Sequence, residues 1–416
     1  MLRVPEFIDY YTGIWDNCPV SVPHFDRSYS PSEQAAREEK MMQFQEELKK
    51  LQAESKIRSV RNGEQDPSFF PLFRNFLKNV FDFEEDQLKI ILSEQFKDVS
   101  RDFFYRARAF APELSMENIY QGMRNVWIMN GLQQMLGVPV EITPSVFGYS
   151  MIYPYSDNFL DDCTVSEQEK RVFSDQFNRR LHGEKVISAN FTEAQLFRLV
   201  GMFEKQYPRT NYPDVYASLY AIQKGQTDSL RLMRASGLSP DNIQRICFEK
   251  GGASVLADGY VVAGKLTPSQ EQALFGYGIY LQLLDDIQDI QEDTNARTRT
   301  LFSCFDGPSN LDKMVNRSIH FGRVVLEEMR CLGGAQMDLM IRLMNHSIEM
   351  MIIESAGLNA SYYPPETIRI FEKHSPLRFA FLRENKSRAK SQRFLLFQKY
   401  FRKKPAGKRF YSSEKQ

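Results

Sequence analysis

The sequence predicts an all-α protein, and three observations carry that prediction. From Phe69 to about His374, apolar residues recur at three- and four-residue spacing in segment after segment. Capping hydroxyls stand directly before prolines at Thr143-Pro144, Ser239-Pro240 and Thr267-Pro268. That arrangement marks a helix start, because proline is tolerated only in the first turn. Alternating apolar and polar stretches closed by Asn-Gly or Gly-Gly turns, the mark of paired strands, do not occur. With 416 residues, 42% of them hydrophobic, the chain can build one large core or two ordinary ones, which excludes the disordered and fibrous classes.

Taken in order, residues 1–65 read as a helical extension. Ser30-Pro31-Ser32-Glu33 is a capping box with proline at the first helical position, and the helix it opens carries Met41, Phe44, Leu48 and Leu51 in a narrow stripe. Such a stripe either leans on the body or pairs two copies as a coiled-coil homodimer. Residues 66–384 form the body, with ten or more helices. Residues 385–416 form a tail with eleven Lys/Arg against Glu414, and because the whole chain balances 53 against 53, the rest is acidic by ten charges. Phe394, Phe397 and Phe401 fall on one helical face of this tail. It suits an anionic membrane surface, or else docks on the body by its aromatics. Nucleic acid is not expected as a partner, since the acidic body repels phosphate.

No run of 18 apolar residues occurs, and no apolar segment follows the charge near the N-terminus. The expectation is a cytoplasmic protein with at most peripheral membrane contact. Cys18, Cys163, Cys247, Cys304 and Cys331 are scattered, as are the five histidines, without C-x-x-C or H-E-x-x-H spacing. Reduced thiols are expected; zinc chemistry and a His-centred triad are not.

The most informative stretch is Thr267 to Asp293. Thr267 and Gln270 form a capping box, so the helical phase can be carried forward at about 100° per residue. Gly278, Gln282, Asp285, Asp286, Asp289, Glu292 and Asp293 then share one face, with Ile279, Leu283, Ile287 and Ile290 opposite. Stacked carboxylates repel one another and lie in the wrong half of the helix for its dipole, and no Lys or Arg occurs between Thr267 and Ala296 to relieve them. Either the face is solvated, or it binds a cation. Hard oxygen ligands without His or Cys point to Mg²⁺ or Mn²⁺ completed by substrate phosphate.

Two further features join it. Asp157, Asp161 and Asp162 gather at a helix end, because the Ser166 to Glu169 capping box opens a new helix just beyond. Glu249-Lys250-Gly251-Gly252 lies inside the helix begun at Ser239. The paired glycines call for a kink or a close approach to the backbone, by a ligand or by a crossing helix, with Lys250 beside it as a phosphate donor or a surface lysine.

Gly278, Gln282, Asp285, Asp286 and Asp289 reproduce G-x-x-x-Q-x-x-D-D-x-x-D, so residues 90–380 resemble the class I isoprenoid synthase superfamily. The first acidic segment, D-N-F-L-D-D, lacks the following Arg-Arg-Gly of chain-elongating synthases, with no arginine pair before Arg179-Arg180. It looks more like the squalene/phytoene synthases and the large-terpene cyclases. The resemblance implies a helical bundle enclosing a central apolar cavity, with two acidic helices facing each other. Asp157, Asp161, Asp162, Asp285, Asp286 and Asp289 would hold Mg²⁺, and Lys250, Gln282 and Arg297 or Arg299 would bind a prenyl diphosphate. Asp157, Asp161, Asp285, Asp286 and Lys250 would carry its ionisation, and Phe147, Tyr149, Tyr153 and Tyr280 would line the cation pocket. A cyclase is the first expectation, a prenyl-coupling or chain-elongating transferase the second, and a non-catalytic prenyl-lipid-binding scaffold the third.

Overall fold

Many of the helices begin where the sequence supplies a side-chain cap. A computed structural model describes residues 2–58, 69–162, 164–233, 237–304 and 310–385, with the side chains of residues 52–58, Asp157 and Asp161 outside that description. Among the described residues there are sixteen α-helices and no strand. In chain order they are α1 (Val4–Asn17), α2 (Pro31–Arg58), α3 (Phe69–Phe81), α4 (Glu85–Ile91), α5 (Glu94–Phe110), α6 (Met116–Met135), α7 (Pro144–Asp161) and α8 (Glu167–Leu181). There follow α9 (Phe191–Gln206), α10 (Pro213–Ser229), α11 (Pro240–Ala263), α12 (Pro268–Gln288), α13 (Ile290–Ala296), α14 (Leu311–Glu328), α15 (Met337–Leu358) and α16 (Pro365–Glu372). The hydroxyls of Thr143, Ser166, Ser239 and Thr267 each accept from the backbone N–H three residues on.

The bundle is organised around α11, whose residues from Gly251 to Gly259 are buried apart from Ser254. On one side α12 crosses it with backbone almost touching backbone. A Cβ on Gly278 would stand 2.2 Å from the Gly251 carbonyl oxygen, and one on Gly251 would stand 2.4 Å from Gln282 Cβ. The glycine pair is therefore a helix crossing. Neither a kink nor a phosphate is needed to explain it, and α11 runs unbroken through the site. Helices α6, α7 and α10 cover the other flanks of α11, while α14 and α15 cover α12.

The extension divides into two unlike parts. Helix α1 is built into the body, with Tyr11 fully buried and Trp15 1% exposed between α11, α12 and α14. Gly276 leaves the space that the Tyr11 ring fills, and Arg317 stacks over Trp15 at 5.5 Å. Helix α2 leans on α3 instead. Phe44 lies over Phe76 with ring centroids 4.0 Å apart, so this part of the predicted stripe packs within the chain. No described helix is long and apolar enough to cross a membrane. The basic tail, Phe394, Phe397 and Phe401 included, lies outside the described residues.

Candidate active site

Helix directions bring the two acidic segments to one end of the bundle. Along α7 and α11, Ser145 donates to the Val261 carbonyl at 3.0 Å, while further along the Tyr153 hydroxyl meets Ser254 Oγ at 3.0 Å. Rising numbers on α7 meet falling numbers on α11, so the two run antiparallel. Helix α12 also opposes α11, since Gly259 abuts Leu274 and Gly251 abuts Gln282. Asp157 is one helical turn beyond Tyr153, and Lys250 is one turn before Ser254. The C-terminal ends of α7 and α12 therefore both lie toward the Lys250 level of α11.

The acidic end of α12 is electrostatically unrelieved. Asp285 is exposed, Asp286 is 2% exposed, and Asp289 and Asp293 are half-buried. Burial pushes the Asp286 carboxyl up to about 8, and the Asp285 and Asp293 charges add to it. Burial, and then the neighbouring Asp285 charge, raise Asp289 to about 6 and Asp293 to about 6. Gln282 donates to Asp286 Oδ1 at 2.7 Å, while Asp286 Oδ2 is buried with no hydrogen-bond partner. A buried acceptor of this kind costs roughly 1–3 kcal/mol when left unpaired. The Lys250 charge acts on Asp286 and Asp293, and that of Arg124 on α6 acts on Asp289.

Several expected residues sit differently. The acidic helix is interrupted at Asp289, which closes α12 and opens α13. The Asp162 carboxylate, expected as a metal ligand, caps its own turn. Its Oδ1 accepts from the Thr164 hydroxyl at 2.7 Å and N–H at 2.8 Å, which hold it below the usual carboxylate range. The Arg299 side chain donates to the Leu238 carbonyl at 3.3 Å and so pins a loop, whereas Arg297 is exposed at the end of α13 with φ of 58°. Gly278 serves the helix crossing. Phe147 and Tyr280 are core, the latter packed on Gly322. Arg124 was missed: nothing within α6 marks it, and only the packing of α6 against the body turns its charge toward Asp289.

Tyr149 and Tyr153 do face a cleft, between α7, α8 and α10, with ≈ 40 Å³ of free space. Its wall is largely apolar, with Ile152, Phe177, Leu181, Leu219 and Ile222 beside the two tyrosine rings, and Ser156, Gln223 and Gln226 add polar groups. It adjoins the Lys250 level, because Gly225 on α10 packs against the Lys250 backbone.

The donor set fits a hard divalent cation: oxygen only, crowded like charges, and one buried carboxylate oxygen without a partner. Among the described residues, no group of three or more His, Cys, Asp or Glu side chains is already gathered to hold a metal ion.

Comparisons with known sequence families and with curated proteins give no match. Among solved structures, the chain is similar to a decaprenyl diphosphate synthase from Rhodobacter capsulatus at 14% identity and a TM-score of 0.38, covering 65% of this chain and 98% of that one. It is similar to a geranylgeranyl pyrophosphate synthetase from the archaeon Geoglobus acetivorans at 14% identity and a TM-score of 0.40, covering 63% and 98%. A geranyltransferase from Legionella pneumophila matches at 14% identity and a TM-score of 0.34, covering 69% and 98%. At this level the likeness is one of all-α layout, and no residue role is carried across from them.

Proposed function

We propose that this chain is a Mg²⁺-dependent enzyme that ionises an allylic prenyl diphosphate and transfers the prenyl group to an acceptor. The observation that carries the reading is the acidic end of α12, where mutually repelling carboxylates, one of them buried with an orphaned oxygen, feel the Lys250 charge. Such an array is unfavourable on its own and becomes favourable around a cation and its anionic ligand. Asp285, Asp286, Asp289 and Asp293 on this side, with Asp157 and Asp161 on α7, are the proposed ligand set, Mn²⁺ being the alternative ion. Bound Mg²⁺ would supply Lewis-acid neutralisation of the diphosphate leaving group. Lys250 adds a fixed positive charge at the diphosphate, and Gln282 holds Asp286 in register. Arg297, exposed just past the acidic segment, would close over the diphosphate, and Arg124 would balance Asp289. In the same proposal residues 66–384 are the catalytic body, with 1–65 as a helical extension and 385–416 as a basic tail.

Transfer stands ahead of cyclisation because of the cleft beside Lys250. Cyclisation needs a dry chamber around a folded chain, since a carbocation reacts with any exposed hydroxyl or amide. The cleft offers ≈ 40 Å³, and Ser156, Gln223 and Gln226 interrupt its otherwise apolar and aromatic wall. Cyclisation is the second reading, favoured by the Tyr149 and Tyr153 rings, whose faces stabilise positive charge by roughly 0.5–2 kcal/mol each. The test is pyrophosphate release from geranyl, farnesyl and geranylgeranyl diphosphate, with and without Mg²⁺ and with and without a second substrate, followed by mass spectrometry. Mg²⁺-dependent release with an acceptor adduct is expected. A hydrocarbon from one substrate alone would favour the cyclase, and silence in every Mg²⁺ mixture would sink the enzyme reading.

A further inference from the structure

One side of the acidic end of the bundle is rimmed by apolar side chains. Helix α9 runs against α7, since Ser145 N–H donates to Gln206 at 3.0 Å while further along α7 a Cβ on Gly148 would stand 3.1 Å from the Leu199 carbonyl oxygen. Phe191, the first residue of α9, is about two turns before Leu199 and so lies level with Ser156, at the acidic end of α7. Helix α8 meets α7 there as well, with the Phe173 ring stacked on Phe159 at 4.2 Å. The chain between α8 and α9 returns to the same end, because Glu184 N–H donates to the Arg179 carbonyl and Ala189 N–H donates to the Glu193 carboxylate at 2.6 Å. On this side Ile187 is 92% exposed, Phe191 56% and Val172 46%. They stand on separate segments, and an isoleucine so exposed protrudes from the surface. A protein partner would need a matching hollow for each of them, whereas a fluid bilayer takes up a protruding apolar set directly.

The charges beside them favour an anionic surface. Glu169 accepts from the Ser166 hydroxyl at 2.6 Å, Glu184 is held by Arg179 at 2.8 Å, and Asp175 adds its charge at Arg179. Glu167 lies in the first turn of α8, where the helix dipole holds it. Lys170, Arg171 and Lys185 have no ion pair among the described residues. Lys170 and Arg171 directly precede Val172, and Lys185 stands two residues before Ile187, so each cation can lay its stem along an apolar neighbour and keep its head at phosphate level. Resting on the prenyl diphosphate reading, we propose that this rim docks on an anionic lipid bilayer, with Val172, Ile187 and Phe191 entering among the headgroups and Lys170, Arg171 and Lys185 meeting lipid phosphate. The acidic end then opens beside the bilayer, and a substrate with an apolar tail and an anionic head reaches the Lys250 level without leaving the lipid surface entirely.

The experiment floats the full-length protein, in Mg²⁺ buffer, with vesicles of phosphatidylcholine alone and of phosphatidylcholine mixed with phosphatidylserine. Binding to the mixed vesicles is expected, and it should weaken as salt is raised. Ile187→Ser with Phe191→Ser is expected to lower the partition coefficient about tenfold. Lys170→Glu with Lys185→Glu is expected to remove the preference for phosphatidylserine. Both variants should melt at the parent temperature, because they change surface side chains. Ile187→Trp gives a direct reading, since its emission should shift to the blue when mixed vesicles are added. Absence of flotation, or flotation that neither double variant changes, would overturn the rim as a lipid contact, the latter result assigning the binding to the basic tail. A dimer that forms without lipid and is lost in the serine variant would reassign the rim to a second copy of the chain. None of these measurements uses pyrophosphate release, so the rim and the prenyl-transfer reading can fail separately.

Discussion

The two halves of α12 are built to opposite rules. In the first half the capping groups and Glu271 have partners. Thr267 and Gln270 cap each other's backbone, Glu271 accepts from the Tyr260 hydroxyl, and the Gln272 carbonyl accepts from Tyr11 at 2.8 Å. Gly276 and Gly278 admit the Tyr11 ring and the α11 backbone. In the second half, Asp286 has an unpaired buried oxygen, three carboxyls are pushed upward, and the helix breaks at Asp289. One half accumulates stabilising contacts and the other accumulates unfavourable ones within a single element. That contrast is what a ligand site on a rigid support looks like, because groups poised for a ligand are poorly satisfied without it.

The sharpest way to break the comparison is to exchange the expected effects of its two halves. Gly278→Ala puts a methyl 2.2 Å from the Gly251 carbonyl oxygen, and both backbones are fixed, so a loss of about 3 kcal/mol is expected in a denaturant titration. A variant within about 0.5 kcal/mol of the parent would show that the crossing is looser than described. Asp286→Asn should act the other way, with pyrophosphate release falling on the order of 100-fold or more while stability above pH 8 holds or rises. Lost stability with retained activity would assign this carboxyl to the core.

Acidity sharpens the contrast further. Asp289 and Asp293 sit at about 6 and Asp286 at about 8, all above the unfolded carboxylate. Between the unfolded value of about 3.9 and these raised values, the folded chain holds protons that the unfolded chain has released. Their stabilisation is complete below the unfolded value and is lost as pH rises, first through about 6 and then through about 8. Metal-free protein should therefore melt at a lower temperature at pH 9 than at pH 5.5, with Mg²⁺ narrowing the gap by binding the folded form. A melting temperature that climbs steadily over that range without metal would contradict it. The smallest effect belongs to Thr267→Ala, which removes a cap worth about 1 kcal/mol and should leave pyrophosphate release untouched.

Local signals made much of this legible. Each cap that the sequence offered is a cap in the structure, and the phase carried forward from Thr267 put Asp285, Asp286, Asp289 and Asp293 on one face. What stayed hidden depended on partners distant in the chain. Gly251 and Gly252 left a bend, a ligand approach and a crossing helix all open, because the helix they meet begins sixteen residues on from Gly252. The burial of Tyr11 and Trp15 rests on Gly276 and Phe321, more than 260 residues away, so α1 resembled an outlying helix. Asp162 is two residues from a hydroxyl that competes for it, a local signal that the acidic cluster overshadowed.

The central claim is that the acidic end of α12 binds a diphosphate through Mg²⁺. Its most direct test is calorimetric titration of inorganic pyrophosphate into the full-length protein, with and without Mg²⁺, for the parent and for Asp285→Ala. Binding that requires Mg²⁺ and weakens at least tenfold in the variant is the predicted result. Pyrophosphate binding of equal strength without Mg²⁺, or undiminished by Asp285→Ala, would contradict the account.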